Sequence, residues 1–127
     1  MVANDKIYFA YSKMIYGTQQ EVEEFEFLKK KFTEATIICP HKTVGDINDS
    51  KDYLFVVDCC NIVIASEFNG YVGFGVFAEI ARALSNCTSV SVLRKRADEF
   101  YLLKVTGIEI INQNDWKNKY GKLIVKQ

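Results

Sequence analysis

The sequence has one histidine, no paired cysteine spacing, no surplus of either charge and no long apolar run, and each shortage removes a class of function. His41 lies two residues from Cys39, but no second pair completes a tetrahedral site, and Cys59 and Cys60 are adjacent while Cys87 stands alone. That spacing excludes the usual zinc modules and leaves reduced, partly buried thiols of a cytosolic protein as the expectation. A Cys39–His41 nucleophilic pair has no third group to orient it. Sixteen Lys and Arg balance sixteen Asp and Glu, so the basic surplus of a nucleic-acid binder is missing. The densest basic run, "LRKR" at 93–96, follows an apolar strand pattern and reads as a solvated strand end. No apolar run approaches ~18 residues, and "MVANDKIYFAYS" has no basic flank before a long apolar core. The expectation is a cytoplasmic protein without membrane contact.

Half of the chain is apolar (49%) and a quarter charged (25%), the balance of an ordinary globular protein. At 127 residues, without repeats, low-complexity segments or an internal linker, it is expected to be a single domain over 1–127. "KIYFAYS" (6–12) reads as a buried strand. In "QQEVEEFEFLKKKF" the residues Val22, Phe25, Leu28 and Phe32 fall at helical spacing, with acids early and lysines late, the order that complements a helix dipole. "ATIICP" (35–40) is a short strand, and "HKTVGDINDS" a polar loop. "KDYLFVVDCC" (51–60) fits a helix or a strand, with Leu54, Val57 and Asp58 favouring a helix, and it leads into the buried strand "NIVIASE" (61–67). A helix is expected over 75–86 and a strand over 89–95; 100–112 reads as an amphipathic piece followed by a strand from Ile108, and Asp115 as a helix cap near the chain end. Alternating strands and helices predict an α/β three-layer sandwich with a mainly parallel, doubly wound sheet of the flavodoxin-like or Rossmann-like kind.

The stretch "FNGYVGFGVFAEIARAL" (68–84) carries the functional signal. Its glycines run G-x-x-G-x-G after the third strand, so the dinucleotide fingerprint fails, and no Gly-Lys-Ser/Thr follows to make a P-loop. The first strand does not end in an acidic pair, which removes a receiver domain. What is left is Gly73-Phe74-Gly75, able to bring backbone N–H groups at a helix amino end close to an anion or polar ligand, with Glu79 one turn further on. Most such glutamates are solvated acids stabilised by the helix dipole.

"KIYFAYS", "CNIVIAS" and "VGFGVFAEIARAL", in that order over roughly residues 6–95, resemble the nucleoside 2-deoxyribosyltransferase family, which includes 2'-deoxynucleoside 5'-monophosphate N-glycosidases. The most specific part is G-x-x-x-E-[IL]-x-x-A, met by Gly75, Glu79, Ile80 and Ala83. The resemblance implies a flavodoxin-like sandwich, no cofactor or metal, and a homodimer or larger homo-oligomer acting on a small nucleoside or nucleotide. It implies Glu79 as the nucleophile that displaces the base and forms a glycosyl ester, with Tyr8 orienting it through its hydroxyl. The family's base-contacting aspartate finds its best counterpart in Asp52, with Asp58 second, and Asn61 stands where the family usually has Asp. Tyr11, Ser12, Gly73, Phe74 and Gly75 complete the expected substrate contacts, Tyr11 and Tyr16 being available to stack on a base. Gly73 replaces a serine of the monophosphate-specific branch, and "AYSKMIYGT" lacks both the glycine- and arginine-rich loop of that branch and the "AGWF" pocket of the transferases. The alternative from another class is a non-catalytic nucleotide-binding or sensing module of the same fold; a purely structural subunit is the third.

Overall fold

A computed structural model of the protein describes residues 5–39, 50–111 and 120–126, without the side chains of 50–53. The chain runs β1 (Lys6–Ala10), a 3-10 turn (Lys13–Ile15), α1 (Gln19–Lys31), β2 (Thr36–Ile38), α2 (Ser50–Asp58), β3 (Ile62–Ser66), β4 (Val72–Gly73), α3 (Phe74–Ser85), β5 (Ser89–Arg96), β6 (Glu99–Ile111) and β7 (Tyr120–Lys126). The strands form one sheet in the order β2-β1-β3-β5-β6-β7-β4.

Only the first four positions of that order are parallel: β1 pairs with β2 and β3, and β3 with β5. The remaining pairings, β5–β6, β6–β7 and β7–β4, are antiparallel. The expected mainly parallel, doubly wound sheet is therefore replaced by a mixed one. Residues 99–111 form one continuous strand instead of an amphipathic piece and a short strand, and Tyr120–Lys126 is its strand partner. The cause is local. A two-residue turn, Ala97-Asp98, with φ of 51° and 66°, reverses the chain between Arg96 and Glu99. Such left-handed turns are usually announced by Asn-Gly or Asp-Gly, and this one is not. The Asp115 cap and residues 41–49 of the expected 41–50 loop lie outside the described residues, and Ser50 opens α2.

Alternation along β1 and β3 divides the core. Ile7, Phe9 and Ile64 face α1, where Leu28 is buried, whereas Tyr8, Ala10, Val63 and Ala65 face α2 and α3, against Val57, Val76, Ile80 and Ala83. Period-2 burial on both faces makes "KIYFA" and "IVIAS" nearly continuous apolar runs, as parallel strands covered on both sides require.

In α1, Thr18 caps the helix by accepting the Glu21 N–H at 3.3 Å, and Glu21 returns a bond to the Gly17 N–H at 3.2 Å. The helix does not bury the expected stripe evenly. Val22 is exposed, and Glu21, Glu24 and Leu28 are its buried residues. The inward rotation is possible because Tyr11 and Ser66 supply hydroxyl donors to the two carboxylates.

The antiparallel half bends round α3. A register shift between Val105 and Gly107 breaks the β6–β7 ladder. On its two sides Val105 and Val125, then Ile108 and Leu123, join the core built on α3. The far edge strand β4 thereby returns to the end of β1: a Cβ built on Gly73 would lie 3.5 Å from the Ser12 Cβ. Gly121 marks the tightest approach, since a Cβ there would meet the Phe77 ring at 2.7 Å and Ile108 at 3.2 Å. Gly121→Ala is expected to destabilise the protein by about 1–3 kcal/mol, read from the urea midpoint at unchanged slope.

Candidate functional site

The loops after β1 and β3 leave the carboxyl ends of neighbouring parallel strands, where open α/β sheets collect ligands. Gly73 is the N-cap of α3 and makes no side-chain cap bond, and the first turn contains no acid. Among the described residues, no acid in the first turn of α3 offsets its positive dipole. A Cβ built on Gly75 would meet no atom within 4 Å, so its surface is open, and Phe74 is exposed and stacked on Phe77.

Among the described residues, three buried polar side-chain atoms have no hydrogen-bond partner: Tyr8 Oη, Ser12 Oγ and Glu79 Oε2. Tyr8 lies in the core cluster with Val76 and Ile80 of α3, three residues before and one after Glu79, so the Tyr8 ring and the Glu79 helix lie on one face of the sheet. The Tyr8–Glu79 hydrogen bond implied by the family resemblance is not formed. Burial pushes the Glu79 carboxyl up to about 8, which leaves it largely protonated at neutral pH. Each buried unpaired polar group costs roughly 1–3 kcal/mol.

The other expected residues lie elsewhere. Tyr11 points to the α1 face, where its hydroxyl donates to Glu21 Oε2 at 2.6 Å and its ring packs on Phe9 and, edge-on, on Tyr16. Burial, then the Glu21 bond, pushes its phenol well above the ordinary range. Asp58 ends α2 and accepts both Arg82 Nε and Nη2 at 2.8 Å and Asn86 Nδ2 at 2.8 Å. These bonds, the Arg82 ones foremost, hold its carboxyl below the ordinary value. Because Arg82 and Asn86 close α3, Asp58 is at the opposite end of that helix from Gly73. Asn61 precedes β3 and accepts the Lys6 N–H at 2.9 Å, tying the starts of β1 and β3. Asp52 lies in α2, its side chain outside the described ones. Asp58→Asn should leave any activity of the Glu79 site unchanged while lowering the thermal midpoint slightly, checked by calorimetry beside an activity assay.

A second polar group was not legible in the sequence. Glu24, 5% exposed, accepts the Ser66 hydroxyl at 2.5 Å and Gln20 Nε2 at 3.4–3.5 Å. Glu67 holds Arg94 through two bonds at 2.9 and 3.2 Å. The only trace in the sequence is that Gln20 and Glu24 stand one helical turn apart and Ser66-Glu67 end an apolar strand.

No disulfide joins the four cysteines; Cys39 and Cys60 are buried, Cys59 and Cys87 exposed. Among the described residues no three His, Cys, Asp or Glu side chains cluster as metal ligands, and no helix is long and apolar enough to cross a membrane.

No protein-family model matches the chain, and no curated protein matches it. Among solved structures it is similar to a conserved protein from Enterococcus faecalis V583, with a TM-score of 0.53 and 19% identity over 75% of this chain and 66% of that one. The chain thus spans just under two thirds of that neighbour's length, and the likeness is one of fold. The fold is that of an α/β protein with a mixed sheet, parallel in one half and antiparallel in the other.

Proposed function

We propose that the protein cleaves or transfers the N-glycosidic bond of a deoxynucleoside or deoxynucleoside monophosphate, with Glu79 as nucleophile. The observation that carries the reading is that, among the described residues, the buried atoms Tyr8 Oη, Ser12 Oγ and Glu79 Oε2 have no partner, while α3 opens on Gly73, an N-cap without a side chain. A sugar hydroxyl suits Ser12 Oγ, and the helix N–H groups suit a phosphate or a ring oxygen.

In the first step the ionised Glu79 carboxylate forms a bond to C1' of the sugar, and the C1'–N bond breaks with its electron pair passing to the base. The base takes up one proton from solvent. Water, or the nitrogen of a second base, then attacks C1' and loses a proton, and the ester oxygen leaves as the regenerated carboxylate. Tyr8, whose hydroxyl has no partner among the described residues, would donate to the carboxylate once the substrate is bound, lowering the Glu79 pKa and holding the reacting oxygen in line. A homo-oligomer, as the family resemblance implies, is part of the same proposal.

A second reading is favoured by the protonation of Glu79 and by the engagement of Asp58 and Asn61 in structural bonds. On this reading the cleft binds a nucleotide without cleaving it. Incubation of the protein with a panel of deoxynucleosides and their monophosphates, with and without a second free base, separates the two. Base release seen by chromatography and lost in Glu79→Ala supports the enzyme. Saturable nucleotide binding without release supports the module.

A further inference from the structure

The Glu24 group lies on the other face of the sheet from Glu79 and is independent of the glycosidase reading. Its helix turns two acids inward, and the first of them, Glu21, is satisfied by Tyr11 and by the Gly17 N–H. Glu24 is different. Its Oε1 takes the Ser66 hydroxyl, while Oε2 has only the long 3.4 Å contact with Gln20. These donors are all neutral, although the residue is only 5% exposed.

It also borders open space. A cleft of about 460 Å³ lies over it, lined by Gln20, Glu23, Glu67, Arg94, Lys95 and Phe100 among others. That volume is in the range of small-molecule sites. The charges of the cleft are matched except for one. Arg94 is gripped by Glu67, and Lys95 pairs with Glu23 at 3.7 Å while lying over the Phe100 ring at 5.3 Å. Among the described residues three carboxylates therefore face two cations, and Glu24 is the carboxylate left over. An anion would meet cations already engaged and an unpaired acid on the floor. A cation would meet the reverse.

We propose that this cleft binds a small organic ammonium ion, with Glu24 as its counter-charge and Leu93 and Phe100 as the wall for its hydrocarbon body. The ammonium group donates to Glu24 Oε2 and to the Glu67 carbonyl, which already accepts Gln20 Nε2 at 3.0 Å. Such an ion pair is desolvated, so it discriminates against neutral isosteres, which leave the carboxyl unpaired. Burial sets the Glu24 carboxyl at about 7, with Ser66 and Gln20 acting in the opposite direction and the charges of Glu23 and Glu67 adding to the rise. Arg94 and Lys95 are the cations facing it. Because the ammonium ion requires the ionised carboxylate, affinity should rise as pH passes upward through about 7 and level off above it.

The probes are benzylamine and its neutral counterpart benzyl alcohol, titrated into the full chain and followed by amide NMR shifts. Benzylamine is expected to bind saturably, about tenfold or more tighter than the alcohol, with shifts at Gln20, Ser66 and Arg94. Its affinity should fall by up to about tenfold per pH unit below about 7. Glu24→Gln keeps the hydrogen-bonding shape, and should lose about tenfold or more in benzylamine affinity while retaining any base release. Glu79→Gln should bind benzylamine as the parent does, so the failure of either reading leaves the other standing. Equal binding of amine and alcohol, shifts confined to another face, or no binding of benzylamine would overturn the proposal. Should Glu24→Gln fold poorly, the carboxyl carbon shift of Glu24 in the parent serves instead: its titration midpoint must fall when benzylamine is added, and an unmoved midpoint would equally overturn it.

Discussion

On the proposed glycosidic chemistry, Glu79→Gln is expected to abolish base release, by about a thousandfold or more, while deoxynucleotide affinity changes little. A nucleophile removed without loss of volume takes away the covalent path and leaves the binding contacts, so the loss belongs in kcat and not in KM. The pH profile makes the assignment sharper. Because desolvation holds the free carboxyl near 8, kcat/KM should climb about tenfold per pH unit up to that value and then flatten. The limb in kcat should lie lower, since Tyr8 can donate to the carboxylate once the substrate is in place. Tyr8→Phe should bring the two limbs together. A kcat/KM profile flat between about pH 6 and pH 9 would sink Glu79 as the ionising nucleophile.

The second large effect is on stability. Burial raises the carboxyls of Glu79 to about 8 and of Glu24 to about 7, both above the ordinary value of 4.5. The folded state therefore holds protons that the unfolded chain has released. For a raised carboxyl the contribution is complete below about 4.5 and is lost as pH rises through the folded value. Each group should cost on the order of 2–3 kcal/mol between about pH 5 and pH 8, an unusual loss of stability towards neutrality. Asp58 acts in the opposite sense, but its depressed carboxyl titrates below this window. Urea midpoints should fall across the window in the parent, and Glu24→Gln and Glu79→Gln should each flatten part of the slope. Midpoints that stayed constant or rose would refute the burial of both acids as neutral groups.

The parallel half was legible because its signals are local. "KIYFA" and "IVIAS" are apolar on both faces, and α1 has a capping residue, Thr18, with opposite charges at its two ends. The antiparallel half was not legible, since its decisive event is a left-handed turn made by Ala97 and Asp98 without the glycine that usually announces one, Ala97 being a residue that rarely adopts that backbone. Once the turn is missed, 100–107 has no partner and its mixed polarity imitates an amphipathic helix. The site was legible in part. Gly73 comes to Ser12 at the end of β1, but Asp58 and Asn61 are spent on fastening helix to helix and strand to strand at the other end. Sequence spacing fixes which residues share an element, whereas the end of the sheet each one reaches depends on chain direction. The inward turn of Glu24 could not be read at all, because its partner Ser66 is 42 residues away.

The pairing of β4 with β7 has a consequence for how the protein is made. Val72 and Gly73, the two residues that launch α3, find their strand partners in Gly121 and Tyr120. On a ribosome, β1, β3 and the Glu79 helix emerge well before those partners exist. The nascent chain can assemble its parallel half early, while the amino end of α3 waits for residues 120–126 to be translated and to clear the exit tunnel. The amino end of α3 is thus pinned only after the parallel half has been made, and a chain stalled before residue 120 would carry Glu79 without the strand that pins its helix.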